Sequence, residues 1–144
     1  MQWIGIFLLS MLCINAHGSE ENIKEGKIVL KDARKDPKNT HVVQVGEKVV
    51  LKVNAYIDDF MKDAIINANA KLTNLTDGTQ QVTYSITFYD DDENIVGAYA
   101  TSWTLDANEA TNFGGALIKG KLEDFKRVTS YRLYACSYET LPED

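Results

Sequence analysis

The chain has 144 residues, enough for one ordinary domain. Its formal net charge is −6, from 21 acidic against 15 basic residues, and residues 1–18 contribute none of it. Arg34-Lys35 stands beside Asp36 and no basic stripe develops elsewhere, which argues against nucleic acid as a partner.

In chain order, residues 3–16 (Trp3 to Ala16) are almost entirely apolar. The run falls short of the roughly 20 residues a membrane helix needs and has the length of a signal-peptide apolar region. Ala16-His17-Gly18 sets small residues two apart, so cleavage is expected between Gly18 and Ser19. The leading end carries no Lys or Arg, which leaves an uncleaved anchor or an apolar first strand as the competing reading. Cys13 raises the question of a lipid anchor, but Leu12 precedes it where a small residue is wanted, so Ser10 to Cys13 is a poor lipid-attachment box. If Cys13 leaves with the signal, Cys136 is the remaining thiol and no intrachain disulfide can form. Export without disulfides suits a bacterial periplasm or cell surface. Cys136 then reads as a small buried apolar residue.

Residues 19–26 are polar, without period, and read as a flexible leader. Lys27 to Leu30 reads as a short edge strand, Asp32 to Thr40 as a loop and Val42 to Val45 as a strand ended by Gly46-Glu47. Lys48 to Ile57 alternates clearly. Asp58 to Asp63 suggests a single helical turn capped by Asp58 or Asp59. Ala64 to Asn74 resumes alternation, and Leu75-Thr76-Asp77-Gly78-Thr79 turns the chain. Asp-Gly between two alternating runs predicts a hairpin, with 64–74 antiparallel to 80–90.

The next stretch is the most regular. Val82, Tyr84, Ile86 and Phe88 alternate with Thr83, Ser85, Thr87 and Tyr89, a period of two that places the first set on one face of a strand. An acidic turn, Asp90 to Asn94, leads to a strand over Ile95 to Leu105. A turn at Asp106 to Glu109 precedes a weaker strand, Ala110 to Ile118, in which Gly114-Gly115 predicts a bulge. Leu122 to Phe125 reads as a short helical turn, and Val128 to Tyr138 as the closing strand. An acidic tail, 139–144, is expected to fray.

Seven to eight strands about ten residues apart predict an immunoglobulin-like antiparallel β-sandwich with at most one or two short helical turns. The expected organisation is a signal peptide over 1–18, the leader over 19–26, one sandwich domain over 27–138 and the tail. Phe88, Trp103 and Leu133 are the expected core anchors, with full burial giving roughly 1.5–3 kcal/mol each.

The segment Tyr84-Ser85-Ile86-Thr87-Phe88-Tyr89-Asp90 resembles the motif of small bacterial extracytoplasmic sandwich domains. One such family is the YcfL-type outer-membrane lipoproteins, and the other is the FxLYD domain. Against the second, Ile86 replaces the Phe, Phe88 replaces the Leu, and Tyr89-Asp90 agree. Asn74 ahead of the turn, Trp103 in the next strand and Arg132-Leu133-Tyr134 in the closing strand fall where the first family carries such residues. The resemblance spans about 64–138. It implies the fold, export and a binding or accessory role in the envelope, with no catalytic residue.

Candidate sites are few. Asp90, Asp92 and Asn94 alternate as calcium ligands do, but a helix-loop-helix calcium loop would continue with Gly and end with Glu where Ile95 and Thr101 stand. A solvated acidic turn is the plain alternative. His17 leaves with the signal, so His41 is the one histidine for a catalytic triad, and Ser85, Ser102, Ser130 and Ser137 lack a Gly-flanked elbow. Asp58-Asp59 and Asp90 to Glu93 are expected in wet turns that would not raise a carboxyl pKa. Asn74-Leu75-Thr76 fits a glycosylation acceptor. Trp103 and the seven tyrosines offer an aromatic platform, or simply core and sheet ladders.

The reading is therefore a non-catalytic periplasmic or cell-surface module that binds another envelope protein and needs no cofactor. The alternative is a small-ligand, glycan or calcium-binding module. The first predicts an exposed edge strand or apolar patch on the folded domain.

Overall fold

Val82, Tyr84, Ile86 and Phe88 form the inner face of β5 (Gln80–Tyr89), the strand that joins the two halves of one sheet. This computed structural model describes residues 19–30, 39–60 and 63–140; the expected signal segment lies outside them. β5 pairs antiparallel with β6 (Ile95–Leu105) on one side and β8 (Ser130–Glu139) on the other. Its polar positions Thr83, Ser85 and Thr87 are buried too. β1 (Glu20–Lys27) pairs with β8 at the far edge, giving the order β1-β8-β5-β6. The second sheet runs β2 (Thr40–Val45), β3 (Val49–Phe60), β4 (Asp63–Asn74) and β7 (Ala110–Gly120). A short helix, α1 (Leu122–Phe125), sits between β7 and β8 and buries Phe125.

These are two four-stranded antiparallel sheets packed face to face, a β-sandwich of eight strands with one helical turn. Inward residues of both sheets, among them Leu51, Ile57, Ile66, Leu72, Ile86, Phe88, Leu105 and Leu133, merge into one core. The connections β4–β5 and β7–β8 both cross between sheets, while β4 neighbours β7 and β5 neighbours β8. The B–C and E–F strands of immunoglobulin domains cross in this way. The place beside β8, which a last strand fills in those domains, is taken here by β1 from the start of the chain.

Several expectations need correction. Residues 20–27 are no flexible leader; all eight pair with β8, from Glu20↔Ser137 to Lys27↔Ser130. The backbone ladder orders them although their side chains are almost all exposed, so hydropathy carries no trace of it. The short edge strand expected over Lys27 to Leu30 is not formed: β1 ends at Lys27, and Ile28 and Leu30 are buried just beyond it. Asp58 and Asp59 are not in a helical turn: β3 runs through them, opposite Ile65 and Ala64 of β4. At the other end Glu139 closes β8 and the Thr140 N–H donates to the Thr79 carbonyl at 3.0 Å, so residues 139 and 140 are held; 141–144 lie outside the described residues.

The largest correction concerns Asp77-Gly78. β4 and β5 lie in different sheets and do not pair. Five residues separate them, more than a two-residue hairpin turn holds, and the positive φ such a turn requires falls at Gly46 (54°) in the β2–β3 turn. The Gly114-Gly115 bulge is present: Ala68 pairs with Ala116 but Ala70 with Phe113, so two residues of β7 oppose Asn69.

Candidate functional site

The four sheet edges are β1 and β6 in one sheet, β2 and β7 in the other. An edge strand exposes half its backbone N–H and C=O groups, and proteins blunt it with charge, shortness or bulges. β1 is charged, β2 has six residues, and β7 carries the double-glycine bulge and Lys119. β6 (Ile-Val-Gly-Ala-Tyr-Ala-Thr-Ser-Trp-Thr-Leu) is eleven residues long, without a charge or a proline, and its one irregularity lies at its first residues. It is the edge without such a device.

β6 is fastened firmly on its inner side. Its outward-facing side chains form a polar ladder with β5: Gln81 Nε2 donates to Ser102 Oγ (2.6 Å), Thr104 Oγ1 donates to Gln81 Oε1 (2.6 Å), and the Thr83 and Ser102 hydroxyls meet at 3.0 Å. On the core side, Gly97 leaves room for Ile118 of β7, and Tyr99 lies 6.4 Å from Tyr84, centroid to centroid. Burial, with Tyr99 beside it, pushes the Tyr84 phenol well above its ordinary range. Trp103, opposite Val82, is 38% exposed, so it is no core anchor, whereas Leu105, two residues on along the same face, is buried. Phe88 and Leu133 are fully buried as expected.

Acidic turns cap β6 at both ends. In the first, Asp90 Oδ1 accepts the N–H groups of Asp92 and Asn94 (both 2.9 Å), and Asp90 Oδ2 accepts Asn94 Nδ2 at 3.2 Å. These bonds, the Asn94 N–H foremost, hold the Asp90 carboxyl below its usual range, with Arg127 adding a smaller pull. Glu93 stands in the left-handed region at φ 64°. The calcium reading of Asp90, Asp92 and Asn94 fares poorly, because Asp90 and Asn94 are committed to each other. No group of three or more His, Cys, Asp or Glu able to hold a metal occurs among the described residues. In the second turn Glu109 Oε2 accepts the Asp106 N–H (2.7 Å) and Oε1 the Thr111 hydroxyl (2.9 Å), which lower its pKa. Asn108 takes the left-handed position at φ 58° and donates to Asp77 at 3.4 Å.

Asn74, 1% exposed, ties this end together. Its Nδ2 donates to the carbonyls of Gly78 (2.8 Å), Asp106 (2.9 Å) and Leu105 (3.3 Å), and its Oδ1 accepts from the Thr76 N–H (2.9 Å) and hydroxyl (2.8 Å). This one amide bends the β4–β5 corner and fastens it to the end of β6. A glycan has no access to it, so the acceptor sequence is silent in the folded domain. Next to it, buried Gln80 accepts the Ser137 hydroxyl at 2.7 Å.

The remaining candidates do not gather. His41, on β2, stacks on Tyr131 of β8 at 4.1 Å, and burial followed by Lys24 lowers its pKa. None of the four serines hydrogen-bonds it: Ser102 and Ser137 serve the ladders described, and Ser85 is buried in β5. The tyrosines are divided: Tyr84 and Tyr131 lie inside with Tyr99 packed against that core, and Tyr134 and Tyr138 lie around Cys136. Cys136 is buried but not a free thiol. It is disulfide-bonded, and the other cysteine of the sequence, Cys13, lies outside the described residues. The argument for a bacterial compartment from missing disulfides therefore falls.

No family model and no curated protein matches the chain. Among solved structures it is similar to a DUF1425 family member from Shewanella sp. pv-4, at 16% identity and a TM-score of 0.41, over 82% of this chain and 99% of that one. It is also similar to a structure of infectious bursal disease virus Gx strain (12% identity, TM-score 0.29, over 86% of this chain and 30% of that one). A third likeness is to a mutant of the family 29 carbohydrate-binding module CBM29-2 (10%, 0.18, over 83% and 87%). At TM-scores below 0.5 none of the three decides family or function. Among the described residues no helix is long and apolar enough to cross a membrane.

Proposed function

We propose that the protein is an exported, non-catalytic module of the cell envelope that binds another protein by adding a strand to β6. The observation that carries this reading is the eleven-residue edge, uncharged and partly apolar, with half-exposed Trp103 two residues before its end. Main-chain hydrogen bonds along such an edge supply affinity, and alternate side chains supply selectivity. Export is supported by the apolar run of residues 3–16 and by where the first strand begins. β1 starts at Glu20, so cleavage after Gly18 leaves it whole.

The test is cross-linking in envelope extract with the protein and its Thr101→Lys variant. Thr101 faces the core side opposite Tyr84, and a charge there is a known way to close an edge. The reading expects a captured partner that the variant loses while keeping its melting temperature. Equal capture by both would overturn it. Intact mass of the exported protein tests the leader: loss of residues 1–18 is expected, whereas a full-length mass contradicts cleavage.

A further inference from the structure

We infer that the segment received by β6 is an extended strand with an uncharged centre of alternating apolar and small residues and basic residues at both ends. This rests on the reading of β6 as a binding edge and adds the chemistry of its occupant.

The inference comes from what lies along the edge. The eleven residues of β6 offer an added strand no charge to pair with or repel. On the core side, Tyr99, Thr101 and Trp103 lie opposite Ile86, Tyr84 and Val82, so apolar side chains of an added strand would extend that layer. On the other side, Ala98, Ala100 and Ser102 leave a shallow surface suited to small residues. Beyond the first end stand Asp91, Asp92 and Glu93, all exposed; beyond the second stands exposed Asp106, with Glu109 and Asp77 beside it. Arg127 offsets part of the first cluster through Asp90. At about 3.3 Å per residue the two acidic ends lie on the order of 35 Å apart, the reach of a segment of about eleven residues with cations at its ends.

The same charges decide against a second copy of this chain as occupant. Antiparallel β6–β6 pairing about a two-fold axis would set the Asp91 to Glu93 turn of each copy against the Asp106 to Glu109 turn of the other. Like charges would meet at both ends, where they are destabilising.

The probe is an eleven-residue peptide with two lysines at each end of an alternating Val-Thr centre, titrated calorimetrically into the full chain. Its control is the same peptide with glutamates at the ends. The lysine peptide is expected to bind about tenfold or more tightly than the control, and to weaken as salt is raised. Asp91→Lys with Asp92→Lys should narrow that preference without changing the melting temperature, since Asp90, which builds the turn, is kept. Equal affinity for both peptides, or self-association of the protein through β6 at low salt, would overturn the inference. If Thr101→Lys abolishes partner cross-linking while neither peptide discriminates by charge, the charge chemistry falls and the binding-edge reading stands. If Thr101→Lys changes nothing, both fall.

Discussion

β1 and β6 flank the same central pair, β8 and β5, yet five of the eight residues of β1 are charged and none of the eleven of β6 is. The charges and amides of β1 are used inside the molecule. Glu20 pairs with Lys48 at 3.5 Å, Asn22 donates to the Gln44 carbonyl of β2 at 2.9 Å, and Tyr134 donates to Glu21 at 2.9 Å. Each exposed contact contributes at most about 1 kcal/mol, but together they lean β1 on β2 and leave its edge guarded. β6 spends Ser102 and Thr104 on Gln81 and Thr83 of β5, and toward β7 it sets Gly97 against Ile118. Two edges of one sheet thus differ in charge, and β6, which carries none, is the edge on which we place the partner strand.

Substitutions can break or sharpen that contrast. The largest effect is expected where both edges depend on one residue. Phe88→Ala should cost about 3–5 kcal/mol, because the ring fills the centre of the shared core. Thermal unfolding should then release β1 and β6 together; release of one alone would mean the sheet is not a single unit. Asn74→Ala comes next, at about 2–4 kcal/mol, since it strands three carbonyls and an N–H in a buried corner. It should loosen the Leu105 end of β6 before it affects β1, which hydrogen exchange can resolve.

A smaller effect of opposite sign is expected at Glu93. Its left-handed φ is relieved by glycine, so Glu93→Gly should stabilise the β5–β6 turn by up to about 1 kcal/mol. The gain should appear as slower exchange at the start of β6 and leave β1 unchanged. The smallest effect belongs to the β1–β2 side. His41 has a folded pKa below the ordinary 6.5, so the unfolded chain binds its proton more readily. Stability is therefore complete above about pH 6.5 and declines as pH falls through the lower folded value. His41→Phe should flatten that slope in pH-dependent melting; an unchanged slope would assign it to other groups.

Strand positions were largely legible because alternation survives wherever one face is buried: β6 occupies its expected bounds and β2, β4, β5 and β8 lie within a residue or two of theirs. Pairing was not. Asp77-Gly78 carries a hairpin's residues, but Asn74 gathers the Gly78, Leu105 and Asp106 carbonyls and turns the chain into the other sheet. β1 escaped notice because its order comes from backbone bonds to β8, to which its exposed side chains give no clue. Asn74 was singled out by the resemblance and as a glycosylation acceptor, not as a corner residue; two of its three acceptors, Leu105 and Asp106, are distant in sequence and no local pattern announces them. The freedom of Ile95 to Leu105 from charge, by contrast, was in plain view, and it acquired meaning once β6 proved to be an edge.

The central claim is tested most directly by residue-resolved amide hydrogen exchange of the full chain with and without the lysine-ended peptide. Protection should rise at alternate amides of Ile95 to Leu105 and stay unchanged along β1. New protection along Glu20 to Lys27 instead, or none anywhere on β6, would contradict the account.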